Sequence, residues 1–189
     1  IGFREPLVPS AALGPLASPD DGQQLAGPFT DVLAGRPGLA PADLADLATR
    51  LALVERGLIV AGPQDDPHLP AALARLAAAT GYPIVADPLS GVRCGTHDRS
   101  LVLAHADHLV RPGPWREAHL AELVIRFGAT PTSKPLLTLL DEAIPTQIVV
   151  DGDGGWSDPA IIPTTFVHAD ATDTANALAA EYGFWLGDA

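Results

Sequence analysis

Residues 57–86 read GLIVAGPQDDPHLPAALARLAAATGYPIVA, an apolar run followed by a helical segment and a second apolar run. The run at 58–62 contains no polar side chain, which is typical of a strand that is buried on both faces. Residues 69–80 are alanine-rich and predict a helix, and Gly81 stands where a helix commonly ends. The run at 84–86 predicts a second strand. A strand, a helix and a strand in this order predict a βαβ unit with two parallel strands.

The same alternation continues on both sides of this unit. Short apolar runs predict further strands, and apolar residues at helical spacing predict further helices. Together they predict an α/β fold, a three-layer Rossmann-like domain around a parallel sheet of about six strands. The further strands are predicted at 101–104, 123–127, 147–150 and 166–168, and the further helices at 41–56, 133–142 and 172–182.

The composition argues against several classes of function. The 189 residues are 47% hydrophobic and 18% charged, which suits one globular domain with an extension. Eleven basic residues against 23 acidic ones, a net charge of −12, disfavour binding to nucleic acid or to an anionic membrane surface. No apolar run approaches the roughly 20 residues that span a bilayer. Cys94 is the only cysteine, so no intrachain disulfide or Cys-rich zinc site is expected, and a reducing cytoplasm suits the chain.

Residues 1–40 differ from the rest of the sequence. They contain six prolines and six glycines, which disfavour regular elements and predict an irregular linker. The globular domain is expected to cover 41–189. Because the chain contains no methionine and begins at Ile1, we expect it to be a piece of a longer protein.

The segment after the first predicted strand is where a dinucleotide site would lie. A pyrophosphate needs the pattern G-x-G-x-x-G there, so that it can approach the backbone at a helix N-terminus. Residues 62–66 read GPQDD, which keeps one of the three glycines and adds two aspartates that would repel phosphate. Asp87, after the second strand, stands where a ribose-binding acid occurs. Without the glycines, the sequence disfavours conventional NAD or FAD binding.

Two pairs of potential metal ligands are also weak. Cys94 and His97 lie three residues apart, as do His105 and His108. Neither pair has a second cluster at ligand spacing, so we interpret these side chains as surface or loop residues. No metal site is predicted from them.

An anion site is predicted after the strand at 123–127. Thr132 or Ser133 can cap the following helix with its hydroxyl, and Pro135 suits the first turn. The helix N-terminus favours an anion, and Lys134, the only lysine, adds its charge at the same place. A capped helix with an exposed lysine explains these residues equally well, so both readings stay open.

Five groups of residues, in this order along the chain, carry a resemblance to a known family. The chain closely resembles the middle third of the 2-succinyl-5-enolpyruvyl-6-hydroxy-3-cyclohexene-1-carboxylate synthases, thiamine diphosphate enzymes of menaquinone biosynthesis. The groups are FREPLVP at 3–9, ADPLSGVR at 86–93, IRFG at 125–128, PTSKP at 131–135, and VVD at 149–151 with WSDP at 156–159.

The resemblance implies a domain organisation and a reaction. The family has three α/β domains, so 1–9 would leave the first domain, 10–40 would link, and 41–189 would be the central domain. The family decarboxylates 2-oxoglutarate and adds the product carbanion to isochorismate, with thiamine diphosphate and Mg²⁺ held by the two other domains. The resemblance implies that this piece holds neither cofactor, has no catalytic residue, is inactive alone, and belongs to a homo-oligomer when full length.

The resemblance also implies which residues meet a substrate. In the family the lysine matching Lys134 reaches toward the isochorismate carboxylates, and Ser133 would support it as a cap or a direct donor. Arg126 and Arg93 are weaker candidates for further cations. The alternative function is a stand-alone Rossmann-like domain that binds a small ligand or a nucleotide.

The loop at 151–154, which reads DGDG, allows two metal readings. A calcium loop would need glutamate at its twelfth position, which is Ile162. A GDG-to-Asn pair that holds Mg²⁺ in thiamine diphosphate enzymes would need Asn176, but this spacing is short. We therefore interpret 151–154 as a loop.

Overall fold

The structure is a computed structural model that describes residues 30, 33, 35–142, 146–152, 154–156 and 164–187. The chain divides into two compact units, Ile1–Gly35 and Arg36–Ala189. Only three residues of the first unit are described, so most of the predicted linker lies outside the described residues. The fold below is that of the second unit.

Six strands form one sheet in the order β3-β2-β1-β4-β5-β6, and every neighbouring pair is parallel. This confirms the predicted α/β fold with a six-stranded parallel sheet. Two of the predicted strands, at 84–86 and 123–127, have the same bounds in the structure. The strands are β1 Gly57–Ala61, β2 Ile84–Ala86, β3 Val102–Leu103, β4 Leu123–Phe127, β5 Thr146–Val150 and β6 Thr164–Val167.

The described residues form five helices and one 3₁₀ turn, of which α1 precedes the first strand and α5 follows the last. The prediction for the first helix ran four residues too far, because the chain leaves the helix after Ala52 and the Tyr82 hydroxyl donates to the Leu51 carbonyl oxygen (2.6 Å). The 3₁₀ turn and α3 were not predicted, since each is too short to show a helical period. The helices are α1 Pro41–Ala52, α2 Leu69–Thr80, α3 Pro114–Ala118, α4 Lys134–Glu142 and α5 Ala171–Gly187, and the turn is Ala106–His108.

The two faces of the sheet bury different sets of side chains. Ile59 and Ile125 pack in one core with the apolar residues of α1, α2 and α5. Val60 and Val124, their neighbours along the strands, pack in a second core with α4 and the 3₁₀ turn. This alternation places helices on both faces of the sheet, which is the predicted three-layer arrangement.

Among the described residues, no helix is both long enough and apolar enough to cross a bilayer.

Candidate functional site

A cleft of about 470 Å³ opens where β2 ends, on the side of the sheet that carries α4. Ligands of open parallel sheets bind at this edge, beyond the carboxyl ends of the strands. Three of the four predicted site residues, Arg93, Ser133 and Lys134, line the cleft. The other polar side chains that line it are Asp87, His105, Asp107, His108 and Thr132.

Asp87 holds the floor of the cleft together. Its Oδ2 accepts hydrogen bonds from the backbone N–H (2.8 Å) and hydroxyl (2.7 Å) of Thr132, and its Oδ1 accepts from the N–H of Leu89 (2.9 Å). Burial by itself would raise the pKa of Asp87. The hydrogen bonds from Leu89 and Thr132 and the charge of Arg93 outweigh it, so the pKa lies below its ordinary value. The Asp87 carboxylate is therefore ionised and engaged, and it joins the loop after β2 to the loop before α4.

Arg93 is half-buried beside this carboxylate. Its Nε donates to the carbonyl oxygen of Ala86, the last residue of β2 (2.8 Å). This bond holds the Nε end of the guanidinium group at the end of β2. The residue lines the cleft. Arg93 thus contributes positive charge to the cleft and offsets part of the negative charge of Asp87.

Ser133 caps α4, one of the two residues for which the sequence predicted this role. Its Oγ accepts the backbone N–H of Leu136 (3.3 Å) and donates to Oδ1 of Asp107 on the 3₁₀ turn (2.7 Å). Thr132, the other predicted cap, binds Asp87 instead. The Ser133 hydroxyl proton is thus engaged, and direct donation to a ligand would require the bond to Asp107 to break.

Lys134 is the first residue of α4, and its side chain is exposed at the cleft. No described residue forms a hydrogen bond or ion pair with its ammonium group. The ammonium group is therefore the cation of the cleft that is most accessible to an anionic ligand, and Pro135 follows it in the first turn, as predicted.

Arg126, the fourth predicted site residue, does not line the cleft. It lies on β4, is 3% exposed, and its Nη1 is 3.5 Å from Oε1 of the equally buried Gln147 on β5. Gln147 in turn donates to the carbonyl oxygen of Leu140 in α4 (2.9 Å). Arg126 therefore lies within the packing between the sheet and α4.

The crevice between β1 and β4, where the strand order reverses, is the usual dinucleotide site in this topology. Here the loops after the two strands bind each other. The N–H of Gly62 donates to Phe127 O and the N–H of Ala129 donates to Pro63 O, both at 2.8 Å. The carbonyl oxygen of Ala129 lies where a Gly62 Cβ would be, 1.8 Å from its ideal position. Protein backbone thus occupies the place that a pyrophosphate would need.

The weak metal candidates are separated from one another. His105 and His108 line the cleft, whereas Cys94 and His97 line a different depression, beside Asp66. Asn176 accepts two hydrogen bonds from Arg75 on α2 (2.7 and 3.0 Å), and Asp153 of the DGDG loop and Ile162 lie outside the described residues. Within the part of the chain that the structure describes, no group of three His, Cys, Asp or Glu side chains could hold a metal ion.

The sequence did not predict the roles that two residues of the cleft have in the structure. Asp87 was considered only as a ribose-binding acid, although the Asp-Pro-Leu-Ser order signals the turn in which Asp87 binds Leu89. Asp107 gave no signal, because the 3₁₀ turn that carries it was not predicted.

Comparison with known proteins points to one group of enzymes. A family model described as "Middle domain of thiamine pyrophosphate" matches residues 44–185. The chain is 42% identical over 172 residues to the 2-succinyl-5-enolpyruvyl-6-hydroxy-3-cyclohexene-1-carboxylate synthase of Geobacillus kaustophilus, covering 89% of this chain and 28% of the relative. It is 40% identical over 195 residues to the enzyme of that name from Natronomonas pharaonis, covering 95% and 33%. These matches confirm the resemblance drawn from the motifs, and the chain spans about a third or less of these relatives.

A solved structure supports the fold. The chain matches the "X-ray structure of a putative thiamin diphosphate-dependent enzyme isolated from Mycobacterium smegmatis" with a TM-score of 0.51 and 19% identity, covering 82% of this chain and 30% of that one.

Proposed function

The chain belongs to the family of thiamine pyrophosphate middle domains, and from this premise we propose that it is the central domain of a 2-succinyl-5-enolpyruvyl-6-hydroxy-3-cyclohexene-1-carboxylate synthase. Residues 1–40 would lead from a preceding α/β domain, and 41–189 would form the central one. In the proposed reaction 2-oxoglutarate loses CO₂, and the resulting carbanion equivalent adds to isochorismate. The longer enzyme would be cytoplasmic and homo-oligomeric.

The described residues do not fit thiamine diphosphate or Mg²⁺. The loop after β1 is closed by the Ala129 carbonyl oxygen, so it offers no cradle for a diphosphate. No three metal-ligating side chains meet among the described residues. We therefore assign both cofactors to the rest of the longer enzyme and derive no step through them; alone, the central domain would be inactive.

The observation that carries the proposal is the meeting of Lys134, Ser133 and Arg93 in one cleft. These residues come from two of the motifs that carry the resemblance to the synthases, and Arg93 and Ser133 are 40 positions apart in the sequence. Isochorismate is a dianion at neutral pH, and it requires cations in a protein whose net charge is otherwise negative. In this role the exposed Lys134 ammonium binds a carboxylate, while Ser133 positions the lysine by capping α4.

The neighbouring acids weaken the attraction of the cleft for a dianion, and Arg93 offsets part of this effect. Asp87 is paired with Thr132 and lies near Arg93, and Asp107 accepts from Ser133. These hydrogen bonds hold both carboxylates in place, and the exposed Lys134 ammonium faces the ligand in the proposed complex.

The test compares the full-length protein with its Lys134→Ala variant, following 2-oxoglutarate and isochorismate consumption separately. We expect the KM for isochorismate to rise roughly tenfold, because a charge-assisted hydrogen bond is lost, while decarboxylation continues. Lys134→Arg should recover part of the loss. Arg75→Ala, on α2 at the opposite face, is the matched control and should behave as the unaltered enzyme.

Two results would contradict the proposal. Unchanged isochorismate kinetics in Lys134→Ala would remove this lysine from the substrate site and leave the domain a structural role only. Turnover by the 189-residue chain alone would refute the division of labour between domains.

A further inference from the structure

A second cavity, of about 420 Å³, lies on the same face of the sheet at the opposite edge, near the amino ends of β1 and β2. It extends between the sheet, α3 and the 3₁₀ turn. Its walls are largely aliphatic and aromatic, which is the usual character of a small-molecule pocket of this size. Its lining includes Leu58, Leu103, Trp115, Arg116, Ala121 and Leu139.

Arg116, on α3, is the unusual member of this wall. The residue is only 9% exposed, and among the described residues no acceptor lies within hydrogen-bond distance of its buried Nη1. Its nearest charged partner is the exposed Glu142, whose Oε2 lies 3.6 Å from Nη2, beyond a hydrogen bond. Glu142 thus offsets part of the charge of Arg116, but the buried Nη1 donor keeps no acceptor among the described residues, and a buried donor without an acceptor is costly.

The other charged groups at the cavity indicate how much negative charge it can accept. Arg56 also lines it, but its Nη2 already donates to Oε1 of Glu122 (2.9 Å). Glu55 lines the cavity as well and would repel a second anionic group. The cavity therefore offers one unsatisfied guanidinium donor, Nη1 of Arg116, which matches a ligand with no more than a single negative charge.

We propose that this cavity binds a small monocarboxylate with an apolar body, held by the Arg116 guanidinium through its carboxylate. The planar guanidinium matches a carboxylate with two parallel N–H donors. In the proposed complex the guanidinium group turns so that Nη1, which is buried in the structure, faces the carboxylate, while the 3.6 Å contact with Glu142 is its ion pair within the fold. The apolar body packs against Leu58, Leu103 and Leu139. This site is separate from the Lys134 cleft, although Val85 and Ala106 form part of the wall of both.

The probe is 4-phenylbutanoate, titrated calorimetrically into the full-length protein, with 4-phenylbutan-1-ol as its uncharged counterpart. We expect the carboxylate to bind at least tenfold more tightly than the alcohol, because only the carboxylate satisfies Arg116. Arg116→Leu should weaken carboxylate binding at least tenfold, and Arg116→Lys should weaken it less. Ala121→Phe keeps the arginine but fills the cavity, and it should abolish binding of both probes.

Control variants separate this site from the rest of the molecule. Lys134→Ala, in the other cleft, should leave the affinity for 4-phenylbutanoate unchanged, and so should Arg75→Leu on the opposite face. If Arg116→Leu fails to fold, Ala121→Phe carries the test. Equal affinity for acid and alcohol, full affinity in Arg116→Leu or Ala121→Phe, or loss of binding in Lys134→Ala would each overturn the proposal.

Discussion

The two cavities on the α4 face are adjacent but are built in different ways. In the cleft at the carboxyl edge, Asp87, Arg93 and Ser133 all hydrogen-bond to other parts of the chain, and Lys134 is left exposed. In the cavity at the amino edge, the walls are apolar, and its buried cation, Arg116, meets no described acceptor at Nη1. The cleft is thus shaped by contacts within the chain, whereas in the cavity the Nη1 donor of Arg116 would gain an acceptor from the proposed ligand. Substitutions that change only the space at a position, or only the charge of a side chain, test this difference.

The largest effect on stability is expected at Gly62, where the backbone of the loop after β1 contacts that of the loop after β4. The Cβ of Gly62→Ala would lie 1.8 Å from the Ala129 carbonyl oxygen, and backbone on both sides leaves no flexible group to yield. The loops after β1 and β4 must separate and lose their two mutual hydrogen bonds. We expect the free energy of unfolding to fall by about 4 kcal/mol, measured by urea denaturation of the 189-residue chain.

The matched change at the amino edge is Gly57→Ala, in the wall of the apolar cavity. Its Cβ would meet the ring of Tyr82 at 1.9 Å, and a ring can move further than backbone, so we expect a loss of about 3 kcal/mol. Gly183→Ala, with no atom within 4 Å in α5, is the control and should stabilise by less than about 1 kcal/mol. If Gly57→Ala cost more than Gly62→Ala, the carboxyl edge would not be the more rigid of the two.

A smaller effect is expected for Asp87→Asn, which keeps the shape of the side chain but removes its charge. The amide accepts less strongly from Thr132 and leaves Arg93 without its neighbouring carboxylate. We expect a loss of about 2 kcal/mol at pH 7, measured by the same denaturation.

The pH dependence of the unaltered chain gives a second measurement of Asp87. Because its pKa in the folded chain lies below the ordinary value of 3.8, its stabilising contribution is fully present above that pH. The contribution is lost as the pH falls through the folded pKa. In Asp87→Asn the free energy of unfolding should therefore lack this part of its decrease at acidic pH. Asp98→Asn is the comparison, because hydrogen bonds from Ser100 also lower the pKa of Asp98 but lie within its own turn and do not join distant segments. If the free energy of unfolding decreased equally at acidic pH in the unaltered chain and in Asp87→Asn, Asp87 would not hold the cleft.

The smallest effect is expected for Ser133→Ala, which removes the cap of α4 and the bond to Asp107. A lost N-cap costs about 1 kcal/mol, and the helix begins less regularly, so Lys134 becomes less well positioned. Thr138→Ala, within the same helix, is the control and should not destabilise. We would measure both by urea denaturation; a Ser133→Ala chain as stable as the unaltered one would mean that the cap contributes nothing.

Much of the fold could be predicted because its decisive patterns are local. Strands buried on both faces are uniformly apolar, and helices such as α2 end at a glycine in the left-handed region, here Gly81 with φ 75°. These preferences act between residues close in sequence, so they can be read from the chain. The 3₁₀ turn and α3 lack such a pattern. The sequence therefore did not predict that Asp107 lines the cleft or that Arg116 lines the cavity.

The sequence by itself determined the α/β class, the parallel sheet, the family and the motif that carries Lys134 and Ser133. Only the tertiary structure decided that Asp87 holds Thr132, 45 residues further on, that Arg126 faces inward, and that Arg116 lies in an apolar wall. The physical reason is that these relations depend on strand order and on how the connecting segments fold over the sheet. Apolar periodicity determines which face of an element is buried, but it does not specify which distant side chain meets it there.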